Sequence, residues 1–294
     1  MMKLEIKQFE KPNIYQSVTA SRVILGDKIT EYRHFRLFEF SLLEKTETEM
    51  IFKYLLINQQ MEETALIHKW IADLEWVQNE LVIKTDINGN FLSIENFKEI
   101  KRKWNDKFKT LLQNKYKQKG ANEMINQTTL LLNDKQRFEE QFLGYSFLRT
   151  FFNGYYEKNE ITETELNLKG YFGEVDLNAI IKSDVENNED FKIQNTITIN
   201  DQKFDKKAFT KLIRNITHTI DAKADLDIDL EEIFIYDKTG WIKEANMYLE
   251  TSVQNFYAII NAHQITKLSE EEKISILNEW NIQRKPNRTS LLID

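Results

Sequence analysis

The sequence predicts an α+β protein in which antiparallel, curved sheet packs against several amphipathic helices. Three observations predict it. Long stretches alternate polar and apolar residues at the period of a strand, other stretches repeat apolar residues at helical spacing, and short turn signals such as Asn88-Gly89 divide neighbouring strand-like runs. Large apolar side chains are abundant, with 19 Phe, 11 Tyr and 5 Trp, which is enough to bury a core.

From Asn13 to Asn58 the chain alternates and is rich in Val, Ile, Tyr, Phe and Thr. Gly26-Asp27 and Glu44 to Glu47 interrupt it, so three hairpin-linked strands are expected. Met61 to Val77 places Leu66, Ile67, Trp70, Ile71, Leu74 and Val77 on one helical stripe. Leu81 to Asp86 and Phe91 to Ile94 flank Asn88-Gly89, the strongest hairpin dipeptide. Asn96-Phe97-Lys98-Glu99 fits a capping box, opening a helix with Phe97, Ile100, Trp104, Phe108, Leu111, Leu112 and Tyr116 on one side and Gly120 at its end. Asn133 or Asp134 is expected to cap a further helix with an aromatic face, Phe138, Phe142, Tyr145, Leu148, Phe152 and Tyr155, as the central core element. Phe97, Trp104, Phe108, Phe142 and Phe152 are the expected buried side chains.

Strand character returns over Glu165 to Tyr171, Glu174 to Lys182 and Phe191 to Ile199, and a short helix after Asp205 carries Phe209, Leu212, Ile213 and Ile216. Strands resume to His263, with a hairpin at Asp237-Lys238-Thr239-Gly240, where Gly supplies a positive φ. Ser269-Glu270-Glu271-Glu272 is a second capping box, before a helix presenting Ile274, Leu277 and Trp280. Residues 1–160 thus read as a strand-rich half with two to three helices, and 161–294 as a strand-rich half with a terminal helix. The halves are loosely similar in element order. Pro12 and Pro286 lie near the ends and no Gly- or Ser-rich linker divides the middle, so one continuous unit is expected.

The formal charge of −7, from 47 acidic and 40 basic residues dispersed along the chain, argues against a sequence-wide affinity for phosphate backbones or anionic lipid. The basic cluster Lys98, Lys101, Arg102, Lys103, Lys107 and Lys109 is interleaved with Glu99 and Asp106 and reads as a solvated helix face. The absence of cysteine removes disulfides, thiolate metal sites and thiol nucleophiles. No signal-peptide pattern and no run of bilayer length is present, so a cytoplasmic location is expected, although a secreted chain without its leader would read the same way. The Asn-, Lys- and Ile-rich composition points to a bacterial source.

Candidate chemistry is sparse. Asp86, Asn88 and Asn90 have the one-three-five spacing of a calcium loop, but Phe91 and Phe97 occupy the positions that need Gly and a bidentate carboxylate, so a hairpin turn is the expectation. Asp225 to Glu231 alternates strictly and would put Asp225, Asp227, Asp229 and Glu231 on one strand face, either as a wet acidic face or as carboxylates for acid/base work or a hard cation. Gly144 to Leu148 begins like a nucleophile elbow but has Leu148 where the second Gly belongs, and reads as core. His34, His68, His218 and His263 form no ligand pair, and Gly170 and Gly173 do not make a phosphate loop. The stretch Tyr32-Arg33-His34-Phe35-Arg36 could stack on single-stranded nucleic acid but better suits a sheet face. No catalytic residue, cofactor-binding residue or metal ligand is assigned, and no cofactor is expected.

The order of strand-rich segments and amphipathic helices resembles, in architecture and without a shared motif, bacterial carriers in which a curved sheet wraps a helix and holds lipophilic ligands. The leading expectation is a non-enzymatic protein-interaction or structural subunit of a bacterial intracellular assembly, with other protein chains as partners and no nucleic acid or membrane span. The alternative is a carrier for a lipophilic small molecule. More remote are a metal-dependent hydrolase using the strand at 225–231 and an acidic inhibitor suggested by net charge.

Overall fold

The alternating stretches pair into one open antiparallel sheet of 11 strands in a computed structural model that describes residues 3–7, 11–62, 65–140, 146–158, 160–187, 189–218, 225–254 and 257–283. Strands β1 (Asn13–Leu25), β2 (Lys28–Lys45), β3 (Glu49–Glu62), β4 (Glu80–Asp86) and β5 (Phe91–Ile94) form a meander to one edge. Strands β6 (Glu163–Leu168), β7 (Leu177–Asn187), β8 (Phe191–Ile199), β9 (Asp227–Tyr236), β10 (Ile242–Val253) and β11 (Tyr257–Leu268) form a second meander to the other. They join where β1 pairs with β11, from Ile14↔Leu268 to Leu25↔Tyr257. The period-two pattern of the sequence becomes two faces. The inner face carries Tyr15, Phe38, Phe40, Phe52 and Phe234, all essentially without solvent exposure.

Helices α1 (Leu66–Glu75), α2 (Phe97–Lys103), α3 (Lys109–Lys115), α4 (Ala121–Leu131) and α5 (Lys135–Glu140) bury side chains in the main core cluster, against the inner aromatics. A second inner cluster gathers Leu177, Ile181, Leu230, Leu249 and Val253 beneath Phe209 and Ile213 of α6 (Lys206–Thr217). Helix α7 (Glu270–Gln283) lies on the outer face, where Trp280 packs with Ile14 and Leu37. Both bonds of its capping box form, the Ser269 amide donating to Glu272 and the Glu272 amide to Ser269 Oγ. Ile274 is left exposed.

The structure corrects several expected boundaries. Helix α1 starts at Leu66, because Met61 and Glu62 pair with His34 and Arg33 and extend β3. Asn96 makes no capping bond: its Oδ1 accepts from the Val82 amide (2.9 Å) and its Nδ2 donates to the Glu80 carbonyl (3.0 Å), so the side chain ties the helix start to β4. Helix α2 continues through a π-turn, Trp104–Phe108, into α3, which ends before Tyr116. Gly120, with φ +95°, instead precedes α4, a helix the sequence reading does not assign. The single aromatic helix is broken: beyond α5 and residues 141–145, which lie outside the described residues, a 3-10 turn occupies Phe147–Phe151, and the chain turns at Gly154 with φ +73°. Phe138, Leu148 and Tyr155 are buried all the same, because the winding chain delivers them to the sheet. Phe97, Trp104 and Phe108 are buried as expected, Phe152 is partly buried, and Phe142 lies outside the described residues. β6 ends at Leu168, where the chain turns through Gly170 and Gly173 at positive φ.

Candidate functional site

Between the two inner clusters a belt of polar side chains crosses the sheet in register, His34 (β2), Thr19 (β1), His263 (β11), Glu232 (β9), Asn195 (β8) and Ser183 (β7), interrupted at β10 by Met247. Buried polar groups are costly unless bonded, and the belt is bonded in two stretches, one on either side of Met247. Arg36 donates from Nε to both Glu75 carboxylate oxygens (2.9 and 3.0 Å), from Nη1 to Thr19 Oγ1 (2.9 Å) and from Nη2 to His34 Nδ1 (2.6 Å). Arginine only donates, so His34 Nδ1 carries no proton and His34 Nε2 donates to Gln59 Oε1 (2.5 Å). Gln59 Nε2 in turn donates to the Ala72 carbonyl of α1 (2.5 Å). Thr19 Oγ1, which accepts from Arg36, is also hydrogen-bonded to His263 Nδ1 (3.1 Å). Farther along, Arg149 pairs with Glu232, which also accepts from Asn195 Nδ2 (2.8 Å), and Ser183 donates to Asn195 Oδ1 (2.7 Å).

Burial lowers the His34 pKa to about 4, with Arg36 adding to the effect against the opposing pull of Glu75 and Gln59. A neutral imidazole whose basic nitrogen is occupied by a guanidinium is not a general base at neutral pH. The belt is therefore a structural seam that ties α1 and the 3-10 turn to the sheet.

The accessible geometry lies on the outer face. One cross-strand row reads Glu231 (β9), Tyr248 (β10), Ala262 (β11), Ala20 (β1), Arg33 (β2) and Glu62 (β3), each opposite the next. At about 4.8 Å per strand the row spans about 24 Å. Its centre is the Ala20↔Ala262 pair, whose methyl groups leave a depression between larger neighbours. Two cavities of about 500 and 570 Å³ meet there, sharing Ala20, Arg33 and Ala262. Val18, Ile260 and Ile233 add apolar walls. Arg22 is 4.0 Å from Glu31, whereas Arg33 has no ion-pair partner among the described residues. Burial, then the Glu250 carboxylate, pushes the Tyr248 phenol up to about 12, so it stays protonated and donates to Glu250.

The residues singled out in the sequence fall as follows. Asp86 accepts from the Asn90 amide (2.8 Å) and from Asn90 Nδ2 (2.7 Å) within a hairpin turned by Gly89 at φ +87°, so its oxygens close the turn. Asp225, Asp227, Asp229 and Glu231 are exposed and Leu226, Ile228 and Leu230 face inward, as the alternation predicts. Among the described residues no three His, Asp or Glu side chains gather as a metal site. Phe147 and Leu148 are core, while Gly144 and Tyr145 lie outside the described residues. Tyr32, His34 and Arg36 face inward and Arg33 and Phe35 outward, as a strand requires. The approach of His34 to His263 through Thr19 and Arg36 was invisible in the sequence, as was the Ala20↔Ala262 pair, since both depend on β1 meeting β11.

No family model and no curated protein matches the chain. Among solved structures, one described as lipid-protein interactions in lipovitellin aligns at 10% identity over 89% of this chain and 25% of that chain, with a TM-score of 0.45. The chain thus spans a quarter of its length. An outer membrane lipoprotein-sorting protein domain from Vibrio parahaemolyticus aligns at 6% identity over 88% of each chain, with a TM-score of 0.16. Both likenesses are too weak to transfer a fold or a function. Among the described residues no helix is long and apolar enough to cross a membrane.

Proposed function

We propose that this chain is a carrier for a lipophilic small molecule, held in the outer-face trough over Ala20 and Ala262. The observation that carries the reading is a solvent-open cavity pair with an apolar floor and a guanidinium, Arg33, that forms no ion pair among the described residues. Small-molecule sites are typically about 300 to 1,000 Å³, mostly apolar, with a few polar groups that fix orientation. Ala20, Ala262, Val18 and Ile260 supply the first requirement and Arg33 and Tyr248 the second. Arg33 favours a ligand with an anionic end, and Glu62 and Glu231 at the two ends of the row disfavour a second anionic group there.

Native mass spectrometry of the protein from its own source, followed by titration with a fluorescent fatty acid, tests the reading. The expected result is a retained lipophile, saturable probe binding, and a loss of at least tenfold in affinity for Ala262→Trp, which fills the trough from an outward-facing position. A clean apo mass together with no saturable binding overturns the proposal.

A further inference from the structure

A second opening lies between β8 and β9, away from the trough. Their pairing runs from Phe191↔Tyr236 to Asn195↔Glu232 and stops. Beyond it, Thr196 to Ile199 of β8 still pairs with β7, and Asp227 to Glu231 of β9 still pairs with β10, so two former neighbours run on with no described strand between them. The fork holds a cleft of about 590 Å³. Among the described residues its two sides are unpaired strand edges, which present main-chain donors and acceptors that suit another extended chain.

The side chains around the fork define what that chain would carry. Inward, Ile197, Ile199, Leu226 and Ile228 are apolar and only partly buried against the second inner cluster. Outward, Asp225, Asp227 and Asp229 lie along β9 and are exposed. Lys206, the one basic residue lining the cleft among the described residues, is engaged by Asp201 at 2.9 Å. We propose that the fork is a docking site for an extended peptide segment that alternates apolar and basic residues and adds as a strand along the free edge of β9. Its apolar side chains meet Ile197, Ile199, Leu226 and Ile228, and its basic ones meet the aspartates, while the edge supplies main-chain hydrogen bonds. Five residues of β9, from Asp227 to Glu231, give about 17 Å of edge, enough for a segment of five or six residues. The acidic rim opposes anionic lipid at the same place. The site is separate from the proposed carrier trough, so either can fail without the other.

A fluorescently labelled Lys-Ile-Lys-Val-Lys-Ile peptide, followed by anisotropy at low and high salt, tests the assignment on the full chain. Saturable binding is expected, weaker at high salt. It should fall at least tenfold when alternate peptide amides are N-methylated, and at least tenfold for the protein variant Asp227→Asn/Asp229→Asn, whose changes at exposed positions should leave the circular dichroism and melting unaltered. No saturable binding, or binding indifferent to N-methylation, overturns the proposal. So does a concentration-dependent dimer that disappears in the same variant, which would give the edge to a second copy, or displacement of the peptide by a neutral lipophile that Ala262→Trp does not affect.

Discussion

Lowering the pH from 7 to 4.5 tests the buried belt through His34. In the folded chain its side chain has no solvent exposure and its pKa is held near 4 by burial, with Arg36 2.6 Å from Nδ1, while Glu75 and Gln59 pull the other way. In the unfolded chain it takes a proton near 6.5. Its contribution is therefore complete above pH 6.5 and is lost as pH falls, because the unfolded state binds a proton that the folded state refuses. The slope is about 1.4 kcal/mol per pH unit, so about 2 to 3 kcal/mol disappears between pH 6.5 and 4.5. Urea denaturation at several pH values, for the parent chain and for His34→Gln, isolates this residue from the other titrating groups. The variant should be less stable at pH 7 and should show a shallower decline over the window. If the stability difference between the two chains stays constant within about 0.5 kcal/mol from pH 7 to 4.5, the assignment of a neutral, Arg36-bonded His34 is wrong.

Other outcomes follow from the packing. Glu75→Ala leaves the nearly buried Arg36 without its carboxylate and should cost about 3 to 5 kcal/mol by denaturant titration. Trp104→Ala removes a side chain with no solvent exposure that also donates to Thr129, and should cost about 3 to 5 kcal/mol by the same assay; a loss below half a kcal/mol would place Trp104 on the surface. Gly240→Ala should lower the melting temperature by several degrees, since φ is +78° and a Cβ would lie 1.9 Å from the Glu5 carbonyl oxygen. That clash should also loosen the N-terminal segment, seen as faster hydrogen exchange at the Lys7 amide, which donates to Thr239.

Much of the sheet was legible because strand signals are local. The interruptions at Gly26-Asp27 and around Glu44 to Glu47, the turn at Asn88-Gly89 and the alternation of Asp225 to Glu231 each act within a few residues, and each appears where expected. Helix limits were less legible where a side chain served a distant strand. Asn96 reads as a cap but bonds to β4, and Met61 reads as helix but pairs across to His34. The aromatic run after Asp134 has helical spacing, yet the chain breaks it, and contacts such as that of Phe151 with Phe40, centroids 4.4 Å apart, come from tertiary winding. The trough and the belt were not legible at all. Each needs Ala20 opposite Ala262 or Thr19 opposite His263, pairs set by a register between strands more than two hundred residues apart.

That same register constrains how the molecule is made. β1 leaves the ribosome well before β11, and at about 5 to 20 residues per second the interval between Leu25 and Tyr257 is roughly ten to fifty seconds. Throughout it, the edge of β1 that will receive β11 has no native partner, so the N-terminal meander waits with an open side that can recruit a stray strand. The meander from β6 to β10 likewise cannot attach to β1 until β11 arrives between them. Closure of the sheet is thus a late, non-local step, of the kind that slows folding. A chain interrupted before Tyr257 would leave two half-sheets with exposed edges, prone to associate with each other's copies instead of joining.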